Sequence, residues 1–292
     1  MSVIQVLQIG MGPLGIKMAT YISERNNMKT VAAVDLNPAL TGRRLEELAP
    51  QLSSDVIIRA SIEPALLNTQ PDVAILTTVS DMERITPQLE AIVSHGIPVV
   101  STCEELSFPW DTAPDLAQRI DQAAKANAVA VVGTGVNPGF LMDALPSFLT
   151  SVSQKVERIE VSRIQDASFR RVPFQKKIGA GLNLSEFEQK KQDGSLRHVG
   201  LTESIQFIAN QFGWTLDKVE DIISPVVATE DIQTDQLSIV TGDARGVYQV
   251  GKGWVDGEER ISLYFRAAIN EPTSYDEVKI SGTPNIHSKV LG

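Results

Sequence analysis

The stretch IGMGPLG, residues 9–15, constrains the fold more than any other part of the sequence. It sets Gly10-x-Gly12-x-x-Gly15 directly after an apolar, β-rich run, Val3 to Ile9 (VIQVLQI). Residues 13–27 follow, with Leu14, Met18 and Ile22 on one helical face. Three glycines at this spacing have distinct physical tasks between a strand and a helix. They permit a tight turn, close backbone approach to a pyrophosphate, and tight packing of helix on strand.

The pattern continues along the first half. Thr30 to Val34 reads as a second strand ending at Asp35, Asp72 to Leu76 as another, and Ile97 to Ser101 as another. Ala113 to Asn127 has helical character and Ala128 to Val132 returns to a strand. Strands alternating with helices imply βαβ units and a parallel sheet covered on both faces. The character changes after about Pro138. Val156 to Gln165 alternates polar and apolar residues, as a strand with one solvated face does. Thr202 is placed to cap a helix running from Glu203 to Phe212. Gly246 to Ala268 reads as two strands joined at Asp256-Gly257, and Glu277 to Ser281 as a last short strand. The expected fold class is α/β, an N-terminal Rossmann dinucleotide-binding domain (residues 1–137) followed by a mixed, largely antiparallel α+β domain (residues 138–292). No internal repeat or low-complexity segment is present.

Composition narrows the function. Over 292 residues the formal net charge is -10, which opposes a nucleic-acid or anionic-membrane surface. A hydrophobic content of 42% supports a full core. The lone Cys103 excludes an internal disulfide and fits a reducing cytosol. No apolar run is long enough to span a bilayer and no signal peptide is evident, so a cytoplasmic protein is expected.

The expected phosphate-binding loop comprises Gly10, Gly12, Pro13, Leu14 and Gly15, with the helix N-terminus turned to the phosphates. Asp35 lies about 20 residues beyond the loop, where an acid accepts hydrogen bonds from an adenosine ribose. That favours NAD; Arg43 and Arg44 nearby leave NADP open. Ligands of open α/β sheets bind outside the carboxyl ends of the strands. Thr78, after Leu76, is a candidate cofactor contact, as is Asn137 of GTGVNPGF for a nicotinamide carboxamide. The remaining strand end carries Glu104 and Glu105, followed by Phe108 and Trp110. Hydride leaves a carbon readily when its nitrogen has a free lone pair, so amine oxidation needs a base. A carboxylate partly buried against Phe108, Trp110 or Phe140 suits that task. One of the two acids is expected to be functional, and Cys103 is expected to pack.

These motifs resemble the 2,4-diaminopentanoate dehydrogenase family, which includes native amine dehydrogenases and is related to dihydrodipicolinate reductase. The resemblance lies in GMGPLG, TCEELSFPW, VGTGVNPGFLMD, RRVPFQKKIGAGLNLSEF, HVGLTESIQFIANQFGW and VYQVGKGWVDGEERISL, spread over nearly the whole chain. It implies NAD(P)-linked oxidative deamination of a small amine or diamino acid to a ketone and ammonia, or the reverse. It also implies a functional glutamate at the end of the strand before TCEEL. Overlay of the VVTANK segment of the related homoserine dehydrogenases on VVSTCE assigns it to Glu104. The substrate pocket carried over by motif comprises Phe140, Phe169 and His198. No metal is expected, and a homodimer is. Family members continue past the segment matching ISGTPNI with a glycine-rich stretch and a helix, which these 292 residues do not include.

Two alternatives stand beside this reading. One is a dihydrodipicolinate-reductase-like enzyme acting on another C=N or C=O bond, although the three scattered histidines do not form that enzyme's His-rich motif. The other is a nucleotide-binding protein without turnover. The basic stretch Arg170 to Gly181 offers Arg170, Arg171, Lys176 and Lys177 to a substrate carboxylate, with no single anchor assigned.

Overall fold

The computed structural model describes the chain apart from Met1, Ser53, Arg197, His198 and Asp235. Two compact units are present, residues 1–135 and residues 136–292. In the first, the elements run β1 (Ile4–Ile9), α1 (Pro13–Ser23), β2 (Met28–Val34), β3 (Ile58–Arg59), α2 (Ile62–Leu66), β4 (Val73–Leu76), α3 (Met82–Val93), β5 (Val99–Ser101), α4 (Pro114–Ala126) and β6 (Val131–Gly133). All pair in parallel in the order β3-β2-β1-β4-β5-β6. This is the doubly wound order whose reversal, between β1 and β4, opens a ligand crevice.

The register sets up the site. Ile9 lies opposite both Val34 and Leu76, Leu76 opposite Ser101, and Ser101 opposite Gly133. The chain therefore leaves β1, β2, β4, β5 and β6 at one edge. Leu7, Ala32, Ala74, Leu76 and Val99 are buried beside Ile85, Leu89 and Ile92 of α3. Met11, Ala19 and Leu45 belong to a second cluster of the same unit.

Several element ends differ from the sequence reading. Helix α1 stops at Ser23 rather than Asn27, because the Asn27 carbonyl accepts from the Ile4 amide at 2.9 Å and is drawn to the start of β1. Strand β6 starts at Val131 rather than Ala128, whose φ of 53° belongs to the turn after α4.

The second unit comprises α5 (Ala144–Leu149), β7 (Lys155–Asp166), α6 (Val172–Lys177), α7 (Leu184–Gln192), α8 (Leu201–Gln211), β8 (Lys218–Val227), β9 (Ile232–Gln233), β10 (Ser238–Ile239), β11 (Ala244–Val255), β12 (Glu258–Ala268), β13 (Tyr275–Thr283) and β14 (Ile286–Leu291). Its large sheet has the order β14-β13-β7-β12-β11-β8, with β7 and β12 parallel and the other neighbours antiparallel. The turn between β11 and β12 has φ of 53° at Asp256 and 76° at Gly257, the paired positive values that a tight two-residue hairpin needs. Thr202 does not cap α8. The cap is Gly200, at φ 102°, and the helix begins at Leu201. Strand β8 escaped the sequence reading because it carries Glu220, Asp221 and Pro225, which an edge strand tolerates.

One face of this sheet is packed and the other is not. Val247, Ile261, Leu263 and Phe265 are buried in one cluster with Leu201, Ile205 and Ile208 of α8. Helix α8 sits so close that a Cβ on Gly251 would be 2.9 Å from Ile205 Cδ1. The alternate residues, among them Tyr248, Trp254, Tyr264 and Tyr275, are half-buried on the opposite face. No helix among the described residues is long and apolar enough to cross a membrane.

The same opposite face carries Glu277, buried and bonded to His287 Nε2 at 2.9 Å and Lys279 Nζ at 3.0 Å, with Lys289 Nζ at 3.5 Å. Burial pushes this carboxyl up from its ordinary 4.5, but the bonds from His287 and Lys279 and the charges of Lys279 and Lys289 outweigh it and hold the group at about 2. A depressed carboxyl stabilises the fold above its unfolded value and loses that contribution as pH falls toward the folded one. Urea midpoints should therefore drop between about pH 5 and pH 2 in the wild type. Glu277→Gln should flatten this acid limb, and an unchanged limb would show that other carboxylates dominate it.

Candidate active site

The glycine loop is shaped by collisions that side chains would cause. Gly10 has φ of 86°, and a Cβ there would lie 2.6 Å from the Thr77 carbonyl oxygen. A Cβ on Gly15 would collide with the Gly10 carbonyl. A Cβ on Gly12 would meet nothing within 4 Å, so this surface is open to a ligand. Gly12 is the N-cap of α1, Pro13 opens the helix, and no side chain caps it. The Ile16 amide finds the Gly12 carbonyl at 2.9 Å, whereas the amides of Leu14 and Gly15 come too early for an intrahelical acceptor. Uncapped amides at the positive end of a helix dipole suit a phosphate.

Asp35, at the end of β2, is held by two backbone amides: Oδ2 accepts from Met11 at 2.6 Å and Oδ1 from Asn37 at 2.7 Å. These bonds fix the carboxylate plane beside a cavity of about 720 Å³. Gly10, Gly12, Asp35, Thr77 and Thr78 line it, along with Ser61, Glu63, Arg84 and Gln88, which the sequence reading did not single out. The volume and the open glycine surface fit the adenosine and pyrophosphate parts of a dinucleotide. The Thr78 hydroxyl donates to Gln88 Oε1 at 2.8 Å. Glu63 is held below the usual carboxylate range, chiefly by its own backbone amide and the Ser61 hydroxyl, so the cavity carries a second anion. Arg43 and Arg44 do not line the cavity; they pair with Glu47 at 3.3 Å and Glu46 at 3.5 Å.

At the end of β5 the two acids have different surroundings. Glu105 Oε2 accepts from the Met82 amide at 2.8 Å and so binds the first turn of α3. Glu104 is half-buried, and its carboxylate makes no hydrogen bond or ion pair among the described residues. Cys103 is buried and its thiol is pushed up to about 12, first by burial, which leaves it a packing residue. Phe108 is half-buried, whereas Trp110 is exposed.

In the second unit, Asn137 is half-buried and joined to Pro138 by a cis peptide. Phe140 is 50% exposed and Phe169, between β7 and α6, is 93% exposed. His198 lies outside the described residues. Arg170, Arg171, Lys176 and Lys177 are all exposed, with the Arg170 guanidinium 5.1 Å from the centre of the Phe174 ring. The sequence reading missed Asp143, a buried carboxylate that accepts from the amides of Gly139 (2.7 Å) and Ala144 (2.6 Å) and from the Ser204 hydroxyl (2.8 Å). It ties the Asn137–Phe140 turn to α8. An acid four residues after Gly139 at a helix start was the available signal.

The first unit thus gathers the glycine loop, Asp35 and Thr78 around one cavity, with Glu104 at the same sheet edge. Comparisons with known proteins agree with that architecture. Residues 140–291 match the model of the 2,4-diaminopentanoate dehydrogenase C-terminal domain, and residues 2–105 match that of a CoA binding domain. The 2,4-diaminopentanoate dehydrogenase of Acetoanaerobium sticklandii is 30% identical over 295 aligned positions, covering 98% of this chain and 83% of that protein. Among solved structures, an amine dehydrogenase from Mycobacterium smegmatis has a TM-score of 0.81 at 19% identity, covering 99% of this chain and 86% of that one. A scyllo-inositol dehydrogenase from Lactobacillus casei, solved with NAD(H), has a TM-score of 0.60 at 16% identity, covering 99% and 76%. At those identities the structural likenesses establish the fold. The sequence match over nearly the whole length, together with the C-terminal domain model, shows that this chain belongs to the 2,4-diaminopentanoate dehydrogenase family of NAD(P)-dependent amine oxidoreductases.

Proposed function

We propose that this protein oxidatively deaminates a small amine or diamino acid, 2,4-diaminopentanoate-like, to a ketone and ammonia, or runs the reverse reaction, with Glu104 as its base. The observation that carries the reading is the contrast between the two acids after β5. Glu105 is committed to the α3 amide, while Glu104 is half-buried at the ligand edge of the sheet, its carboxylate without a partner among the described residues. When bound, oxidised NAD(P) accepts a hydride from the carbon that bears the nitrogen. Glu104 takes the proton of the substrate ammonium, freeing the lone pair that drives hydride departure. It then assists water in adding to the substrate imine, and ammonia leaves the resulting carbinolamine. In reverse, the same carboxylate holds ammonia against the carbonyl.

NAD is the proposed preference. Asp35 and Glu63 bring two carboxylates to the cavity, Arg84 of its lining faces Asp81 at 3.6 Å, and Arg43 and Arg44 are engaged with glutamates. In this reading the first unit holds the cofactor through Gly10, Gly12, Pro13, Leu14, Gly15, Asp35 and Thr78. Asn137 meets the carboxamide, and Phe140, Phe169 and His198 contact substrate. The uncovered face of the second sheet is the proposed dimer surface, supported by its half-buried Tyr248, Trp254, Tyr264 and Tyr275.

NADH and NADPH oxidation by a panel of ketones, with and without ammonia, tests the reaction and the preference together. Activity should require ammonia and run faster with NADH. Ammonia-independent oxidation would favour a carbonyl or ring-imine reductase instead. Glu104→Gln should lower turnover by about 100-fold or more while NADH still binds. Glu105→Ala should act differently, costing about 1 kcal/mol of stability through the lost hydrogen bond to the Met82 amide of α3. Full activity in a folded Glu104→Gln protein would sink the assignment. Light scattering should give twice the 31.8 kDa of one chain, and Trp254→Glu should shift the protein toward monomer; a monomeric wild type refutes the dimer.

A further inference from the structure

Gln8 is an anomaly in the first sheet. It occupies β1, between Leu7 and Ile9, and is 0% exposed. Its Oε1 is buried with no hydrogen-bond partner among the described residues. An apolar side chain of similar volume would avoid that unsatisfied acceptor, which costs stability when taken out of water. Local rules of this kind are usually broken where function demands it.

The amide nitrogen shows what Gln8 does. Nε2 donates to the Gly10 carbonyl at 3.2 Å and to Thr77 Oγ1 at 3.0 Å. The Thr77 hydroxyl in turn donates to the same Gly10 carbonyl at 2.9 Å. On the other side of that peptide, the Met11 amide donates to Asp35 Oδ2 at 2.6 Å. The 10–11 peptide is therefore held at both ends, its oxygen by Gln8 and Thr77 and its N–H by Asp35. Its inward-turned oxygen is also the atom that excludes a Cβ from Gly15. Rotating this peptide would release Asp35 from Met11 and tilt the loop that leads to Gly12 and the first turn of α1.

We propose that Gln8 is a positioning residue for the cofactor: with Thr77 it locks the 10–11 peptide, and through it the orientation of Asp35 and the glycine loop. Gln8 itself does not line the cavity, so it acts only through these neighbours. The lock sacrifices some stability, in the orphaned Oε1, for a loop preorganised to bind a dinucleotide. The inference rests on the cofactor reading above.

The test is NADH titration by fluorescence in the full-length protein, alongside thermal unfolding without cofactor. Gln8→Met should weaken NADH binding by about tenfold, the effect of losing a buried hydrogen-bond lock. The unfolding midpoint should stay the same or rise, because the orphaned acceptor is gone. Turnover at saturating cofactor should stay within about twofold, so that the effect falls on the cofactor's KM. Unchanged NADH affinity in Gln8→Met overturns the proposal, and so does an affinity loss that merely follows a fall in the midpoint. Should Gln8→Met fail to fold, Thr77→Val against Thr77→Ser decides: weakened binding in the first with wild-type binding in the second is expected. Equal affinity in both refutes the lock. A wild type that binds neither NADH nor NADPH removes the cofactor reading itself, whereas tight wild-type binding with an indifferent Gln8→Met removes the lock alone.

Discussion

Parallel pairing with aligned strand ends is the constraint on which the candidate site depends. Because Ile9, Val34, Leu76, Ser101 and Gly133 are joined by direct register pairs, the residues that follow them emerge at one edge. A slip of one residue in any pair would turn that strand's side chains to the other face and bury or strand the polar residues at its end. The pairing is held by apolar side chains on both faces, Leu7 and Ala74 with Ile85 and Leu89 on one, Val6 and Ile75 with Ile22 on the other, so the site rests on packing remote from any ligand. This explains why a loop of small residues can be positioned sharply: its anchors, β1 and α1, lie in a rigid layer.

Within that frame, electrostatic roles are divided by neighbours rather than by residue type. Glu104 and Glu105 are adjacent and chemically equivalent, yet one is bound to an α3 amide and the other is not. Asp35 and Asp143 are both carboxylates tied to backbone amides. Asp35 keeps one side on a cavity, while Asp143 is fully enclosed and serves the turn that carries Asn137 and Phe140. A buried carboxylate whose acceptors are all taken serves the structure, whereas one with a side on open space keeps acceptor capacity for a ligand.

Some of this was legible in residues 9–15 alone, because only glycine satisfies the contacts at Gly10 and Gly15, and because strand, turn and helix succeed one another there without interruption. The hairpin at Asp256-Gly257 was readable for a similar reason, since both positions need positive φ. Strands β8 and β14 were not readable. The first carries acids and a proline that an edge tolerates, and the second is a short, mostly exposed strand without a clear apolar face. The cap of α8 was misread because Thr202 is a good capping residue by type, whereas a glycine in a left-handed conformation holds the place. Gln8 is illegible in sequence because Thr77, which completes its lock, lies far along the chain; Asp143 carries a local signal through Gly139 and Ala144, and only its bond to Ser204 is distant.

The sequence by itself determined the strand–helix alternation of the first half, the glycine turn, the acid at the end of the second strand and the family to which the chain belongs. These depend on local conformation and on residue types that only a few backbone geometries accept. Which of two neighbouring glutamates keeps a carboxylate without a partner among the described residues, and which buried amide holds the glycine loop, were decided by tertiary structure alone. The first turns on a helix end, the Met82 amide of α3, and the second on Thr77 in the neighbouring strand's exit, both brought close by the packing of the sheet, and no local pattern encodes that distance.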